Sequence, residues 1–256
     1  MDSSIKLYIF TGKGGVGKTT LAYSFTRYLR TQGVNAKYVT FKSQSLAENH
    51  HGQSEDKTVF DVPTLMLDLE DSAKGYVEKK LKSGMIAGWI VKTPFFRALI
   101  NMVPGFNYLI FLGRILEEIK HGDNNPVMVL DAPASGHALT MMEATQNFQQ
   151  IFESGTVFED TKKMLAALLD PSFTRIHIIT LPTLMSWHEA QDLKNELDKR
   201  TPVEKSIVVN NCLSLGVPNV IEKLPEALEK KIANERQLLD QEKSQFILAL
   251  PHSLSE

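Results

Sequence analysis

Residues 12–20 read Gly12-Lys13-Gly14-Gly15-Val16-Gly17-Lys18-Thr19-Thr20, four glycines and two lysines in nine positions. So many glycines do not sit in the interior of a helix or a strand, so the stretch is a turn, and its flanks decide what kind. Before it, Ile5-Lys6-Leu7-Tyr8-Ile9-Phe10 is a short, mostly apolar run of strand character; after it, Leu21, Phe25 and Leu29 recur at helical spacing. Strand, glycine-rich loop and helix in that order make an anion cradle. The glycines let successive backbone N–H groups turn inward, and the positive end of the following helix faces the same point.

The G-x-x-x-x-G-K-[ST] spacing makes this cradle one for nucleotide phosphates. Gly12, Gly14, Gly15, Val16, Gly17, Lys18, Thr19 and Thr20 are the expected nucleotide contacts, with ATP or ADP and Mg2+ as cofactors. Lys18 is placed to reach the β- and γ-phosphates, and Thr19 to ligate the magnesium. The early lysine, Lys13, is the mark of the deviant Walker A signature. Its side chain projects out of the loop and can neutralise charge on phosphates bound by a partner subunit, as an arginine finger does. That use implies a dimer; the alternative is an ordinary solvated lysine. A second element is Val127-Met128-Val129-Leu130-Asp131, an apolar strand ending in a carboxylate. It places Asp131 beside the metal, through a water, unless the residue only caps the next helix. The loop after it, with Pro133, Gly136 and His137, is the switch II candidate.

Gly33 closes the first helix and Ala36 to Phe41 reads as a second strand, which gives a right-handed βαβ crossover and a parallel pair. Later apolar runs at 127–130, 175–181 and 206–209, and a weaker one at 246–250, alternate with helical stretches. The predicted fold is α/β, a P-loop NTPase with a mostly parallel sheet flanked by helices. The 256 residues, 43% hydrophobic, suffice for a single domain over 1–256 with a helical insertion at about 66–121.

The stretch from Met85 to Leu116 is the most apolar part. Its longest uncharged run, Ala98 to Gly113, is shorter than the roughly 20 residues that span a bilayer and is broken by Pro104-Gly105. No transmembrane segment is expected. Residues 85–116 are either helices packed on the core or an apolar groove for a client segment or partner. With 28 basic and 30 acidic residues the net charge is −2, and the helix expected at 219–243 mixes acids among its lysines, so no nucleic acid partner is expected. A single cysteine, Cys212, excludes a disulfide framework and a multi-thiolate site within this chain; with no signal-like leader, the expected location is cytoplasmic. His50-His51 reads as a solvated pair in a polar loop.

At the two nucleotide motifs the sequence resembles the arsenical-pump-driving ATPase family, which includes the ATPases that target tail-anchored membrane proteins. GKGGVGKTT and Asp131-Ala132-Pro133-Ala134-Ser135-Gly136-His137-Ala138-Leu139 carry the likeness, and it continues more weakly through Leu67-Asp68-Leu69-Glu70, Phe95-Phe96-Arg97, Val103-Pro104-Gly105, Thr180-Leu181-Pro182, Glu189-Ala190 and Val208-Val209-Asn210. The resemblance implies a dimeric ATPase whose nucleotide state governs binding of an apolar client or membrane-protein partner. It also implies that Asn210 contacts the adenine base; an asparagine that only turns the chain is the alternative.

Three departures qualify the likeness. Where the family has Ser-Thr-Asp-Pro-Ala-His-Ser-Leu, whose Asp orients the attacking water, this chain has Val39-Thr40-Phe41-Lys42-Ser43-Gln44-Ser45-Leu46. Hydrolysis is therefore expected to be slow, with Gln44 either positioning the water through its amide or simply solvated. The cysteine cluster of arsenite-responsive members and the Cys-x-x-Cys of targeting members are both missing. The family pattern also continues with a further helix beyond Leu250-Pro251. Two other functions stay open: a weak or inactive nucleotide-binding regulatory subunit paired as a heterodimer with an active paralogue rather than a homodimer, and a partition or septum-positioning type ATPase.

Overall fold

The computed structural model describes residues 4–42, 61–81, 85, 92–94, 105–133, 139–145, 156–216 and 224–252. Strand β1 (Leu7–Thr11) is buried along its whole length, as is β4 (Val127–Asp131) beside it. Continuous apolar runs of this kind belong to strands covered on both faces, which is the situation in an all-parallel sheet. Helix α1 (Lys18–Thr31) leads from β1 to β2 (Ala36–Phe41), and β3 (Thr64–Leu67) adds to the outer side of β2. On the other side of β1 lie β5 (Thr174–Thr180), β6 (Lys205–Cys212) and β7 (Leu248–Pro251). The seven strands run in the order β3-β2-β4-β1-β5-β6-β7, every pair parallel.

This arrangement confirms the α/β fold with a parallel sheet. The six strands read from the sequence are present, the second with the bounds expected and the other five with ends moved by one to three residues. Strand β3 was not expected, and it takes in residues 66 and 67, where the helical insertion was placed to begin. It is four residues long, follows Pro63 and pairs only with β2, so its sequence carries too little periodicity to stand out.

Two apolar layers enclose the sheet. On one face Tyr8, Phe10, Tyr38, Val127 and Val129 pack with Ala22 and Leu29 of α1. On the other, Leu7, Ile9, Met128, Leu130, Ile176 and Ile178 pack with two helices, α3 (Phe106–His121) and α5 (Leu184–Asp198), which contribute Leu112 and Ile115, and Trp187 and Leu197. Between α3 and α5 come a helical segment over 139–145 and α4 (Thr156–Leu169). A short α6 (Leu213–Gly216) and then α7 (Glu226–Gln241) precede β7.

Helix α2 (Leu69–Leu81) begins at a side-chain cap, with Asp68 Oδ1 accepting from the Asp71 amide at 3.0 Å. Ala73 of α2 meets Ile110 of α3 in a small apolar cluster of their own. Of the apolar stretch 85–116, the part within α3 therefore faces inward, with Leu109 through Leu112 all buried. Among the described residues no helix is long and apolar enough to cross a membrane.

His177 occupies the middle of β5, ringed by Tyr8, Phe10 and Phe25 at centroid distances of 5.0 to 5.8 Å. Its Nδ1 is shut off from solvent without a hydrogen-bond partner. Desolvation, reinforced by the nearby charge of Arg175, pushes its pKa down from 6.5 to about 4. The unfolded chain binds a proton near pH 6.5 that the folded chain refuses until about pH 4. Stability contributed by the neutral ring is thus present above that window and lost as pH falls through it. We expect unfolding free energy to drop between pH 6.5 and 4 by about 1 kcal/mol per pH unit from this residue. Denaturant titrations should show that slope reduced in His177→Phe.

Candidate nucleotide site

The glycine-rich loop leaves the C-terminal end of β1 and lies against the backbone of β5. Gly12, at φ 141°, is so close that a Cβ there would stand 2.2 Å from the Ile179 carbonyl oxygen. Gly17, at φ 89°, takes the N-cap position of α1 with no side-chain cap. The first amides of α1 are left for an external anion, and no acid occupies the first turn to compete for them. Val16 anchors the middle of the loop by inserting into the α1-side core. A side chain has no room at Gly12 or at Gly17, where a Cβ would stand 2.3 Å from Asn210 Nδ2.

Lys18 is 8% exposed, and its Nζ donates to the Lys13 carbonyl at 2.7 Å. Burial lowers its pKa, with the charge of Asp131 working the other way. The ammonium thus spans the loop it belongs to, where a phosphate oxygen can replace the carbonyl. Asp131 closes β4 opposite Phe10 of β1, which carries its carboxylate to the same end of the sheet. Its Oδ2 accepts from Thr19 Oγ1 at 2.7 Å and from the Tyr38 hydroxyl at 2.9 Å.

One hydroxyl and one carboxylate suit a hard cation that completes its shell with phosphate and water. Among the described residues no group of three or more His, Cys, Asp or Glu side chains forms a metal cage. The donor set therefore fits magnesium carried in with a nucleotide.

Asn210, within β6 two residues before its end, donates Nδ2 to the Val16 carbonyl at 2.9 Å and braces the loop. Pro133 is half-buried two residues beyond Asp131. Gln44, Gly136 and His137 lie outside the described residues.

Lys13 behaves differently from Lys18. Its side chain leaves the loop, stays about half exposed and forms an ion pair with Glu189 of α5. A cavity of about 230 Å³ between loop and helix is lined by Gly12, Lys13, Val16, Thr180 and Glu189. At the start of α5, Leu184 and Met185 are 65% and 68% exposed. At the end of β2, Lys42 stands near the place where the family's acid is expected and pairs with Asp68 at 3.3 Å.

Two partners are not apparent from the sequence. The pairing of Glu189 with Lys13 spans 176 positions, and that of Tyr38 with Asp131 spans 93. The sequence signal for Tyr38 is weak, a polar-tipped ring in a short strand that also carries Lys37 and Thr40.

A family model described as anion-transporting ATPase matches residues 5–156, more than half of the chain. The chain is 24% identical over 258 residues to the ATPase BagA of Mycobacterium tuberculosis, a match covering 91% of this chain and 71% of that protein. It is 25% identical over 227 residues to the arsenical pump-driving ATPase of Acidiphilium multivorum, covering 82% of this chain and 35% of the relative. To ATPase asna-1 of Caenorhabditis elegans it is 21% identical over 264 residues, covering 83% and 76%. The matched family region takes in the loop, β2 and Asp131, the residues that build the site from three strands. The chain belongs to the anion-transporting ATPase family and is an ATPase.

Proposed function

We propose that this ATPase works as a magnesium-dependent, ATP-closed dimer whose nucleotide state controls engagement of an apolar client or membrane-protein partner. The observation that carries the reading is Lys13, which turns out of its own loop and is held by Glu189. A lysine needed by its own nucleotide would have no reason to point away. Freed from Glu189, it can approach phosphates held by a facing subunit, where a cation stabilises charge developing on the transferred group.

Magnesium, when bound with the nucleotide, would supply charge neutralisation for the transferred phosphoryl group. Thr19 and Asp131 would hold it, Asp131 through water. Lys18 would give up the Lys13 carbonyl for phosphate. Asn210 would brace the loop through Nδ2 while its carbonyl oxygen meets the adenine amine. Of the stretch 85–116 expected to meet a client, residues 85–105 are the proposed client-facing part, on their apolar composition, whereas α3 is committed to the core. The lone buried Cys212 accords with a cytoplasmic setting.

Slow turnover, or a regulatory subunit paired with an active paralogue, is a second reading with its own observation. Lys42 stands near where the family's water-orienting acid is expected, and the carboxylate it meets, Asp68, is occupied in capping α2.

Turnover and solution mass with and without MgATP separate these readings. Wild type should dimerise with ATP and hydrolyse it slowly. Lys18→Ala should lose nucleotide binding by at least about tenfold. Lys13→Ala should still bind ATP but lose about 10²- to 10³-fold in turnover, the usual loss when one charge-stabilising donor is removed. Binding without turnover in wild type selects the regulatory subunit. A monomer in ATP together with a silent Lys13→Ala removes the dimer. Glu189→Gln releases Lys13, and the ATP concentration giving half-maximal dimer should fall several-fold; an unchanged midpoint would show that the ion pair does not restrain Lys13.

A further inference from the structure

Tyr38 brings a hydroxyl into a layer of the core that is otherwise apolar at its position. The residue is 1% exposed, and its surroundings on that face are Ala36, Val127 and Val129. Its register partner on β4 is Val129, so Asp131 is a diagonal neighbour two residues further on. Long side chains alone cover that diagonal. Tyr23 of α1 packs edge-to-face on the ring, centroids 6.3 Å apart at 87°, and fixes its direction. The hydroxyl donates to Asp131 Oδ2, the same oxygen that accepts from Thr19. Thr40, on the same face of β2, hydrogen-bonds to the Tyr38 oxygen in turn. Three hydroxyls, from Thr40, Tyr38 and Thr19, thus converge directly or in series on one carboxylate oxygen.

We infer that Tyr38 is a positioning residue for the metal-facing carboxylate: by occupying Oδ2 from the β2 side, it turns Oδ1 of Asp131 toward the hydration shell of the nucleotide's magnesium. Thr19 supplies Oδ2 with one donor, from the loop side; Tyr38 supplies a second from the β2 side, through a group that does not itself ligate the metal. With two donors on Oδ2, the carboxylate plane is set before the metal arrives, and the metal does not have to organise it. Burial and the charge of Asp131 hold the phenol's pKa far above its ordinary value, so it remains a donor at any working pH. An outer-shell hydrogen bond of this kind tunes metal affinity without touching the metal.

The inference rests on the magnesium reading above, and its test separates the two. Binding of a non-hydrolysable ATP analogue to the full chain is titrated with Mg2+, and also measured in chelator, for wild type and Tyr38→Phe. The phenylalanine keeps the ring and its packing. The expected result is a Mg2+ half-saturation point raised about tenfold, with affinity in chelator unchanged. Equal half-saturation in the two proteins overturns the inference. So does equal weakening with and without metal, which is the signature of a merely structural hydrogen bond. A wild type indifferent to Mg2+ defeats the magnesium reading itself. Should Tyr38→Phe fail to fold, Thr40→Val, which removes only the hydroxyl feeding Tyr38, is expected to shift the Mg2+ midpoint in the same direction by a smaller factor, and no shift overturns the inference.

Discussion

Gly12 meets β5 backbone to backbone, with no space for a Cβ between its Cα and the Ile179 carbonyl. That contact fixes where the loop can run, and the loop fixes everything chemical that follows. Because β1 lies between β4 and β5, the crossover that leaves its C-terminal end goes to β2 on one side, while the one that leaves the neighbouring end of β4 goes to β5 on the other. A crevice opens at such a point in a parallel sheet, and ligands settle there. The uncapped start of α1 points into it, and Asp131 reaches it from the neighbouring strand. A side chain at position 12 would lift the loop away from β5 and separate these groups.

Within that loop two lysines five positions apart have opposite surroundings. Lys18 is buried across the cradle and bonded to a carbonyl, so it is ordered at the cost of a depressed pKa. Lys13 stays half exposed and meets a carboxylate on α5. An ion pair this exposed is weakly bound in water, since screening and side-chain entropy offset most of the Coulomb attraction. The pair is thus easily exchanged for a multiply charged phosphate, whereas Lys18 has no alternative location.

The loop, Asp131 and six of the seven strands were legible because their signals are local. Glycine and lysine spacing marks the cradle, and an apolar run ending in a carboxylate marks β4. What escaped is what depends on register between distant segments. Tyr38 reaches Asp131 only because β2 pairs with β4 so that Tyr38 lies beside Val129, and nothing in either segment alone announces it. Glu189 was visible as part of a family likeness but not as the partner of Lys13, since that pairing needs α5 to fold back beside the loop. Strand β3 is an edge strand of four residues, too short for periodicity to assert itself. Of the apolar stretch 85–116, sequence alone left core and groove open; α3 went to the core because Ala73 and the sheet both offer it apolar surface.

Helix α5 carries one more residue of use. Trp187, one of the chain's two tryptophans, sits two positions before Glu189 and is sealed in the core, its indole edge-on to Phe246. Emission from an indole so enclosed is blue-shifted and shielded from aqueous quenchers. The helix that holds the outward lysine therefore contains its own optical gauge, and any displacement of α5 as Lys13 changes partners is readable as a change in colour and quenching, with no label added.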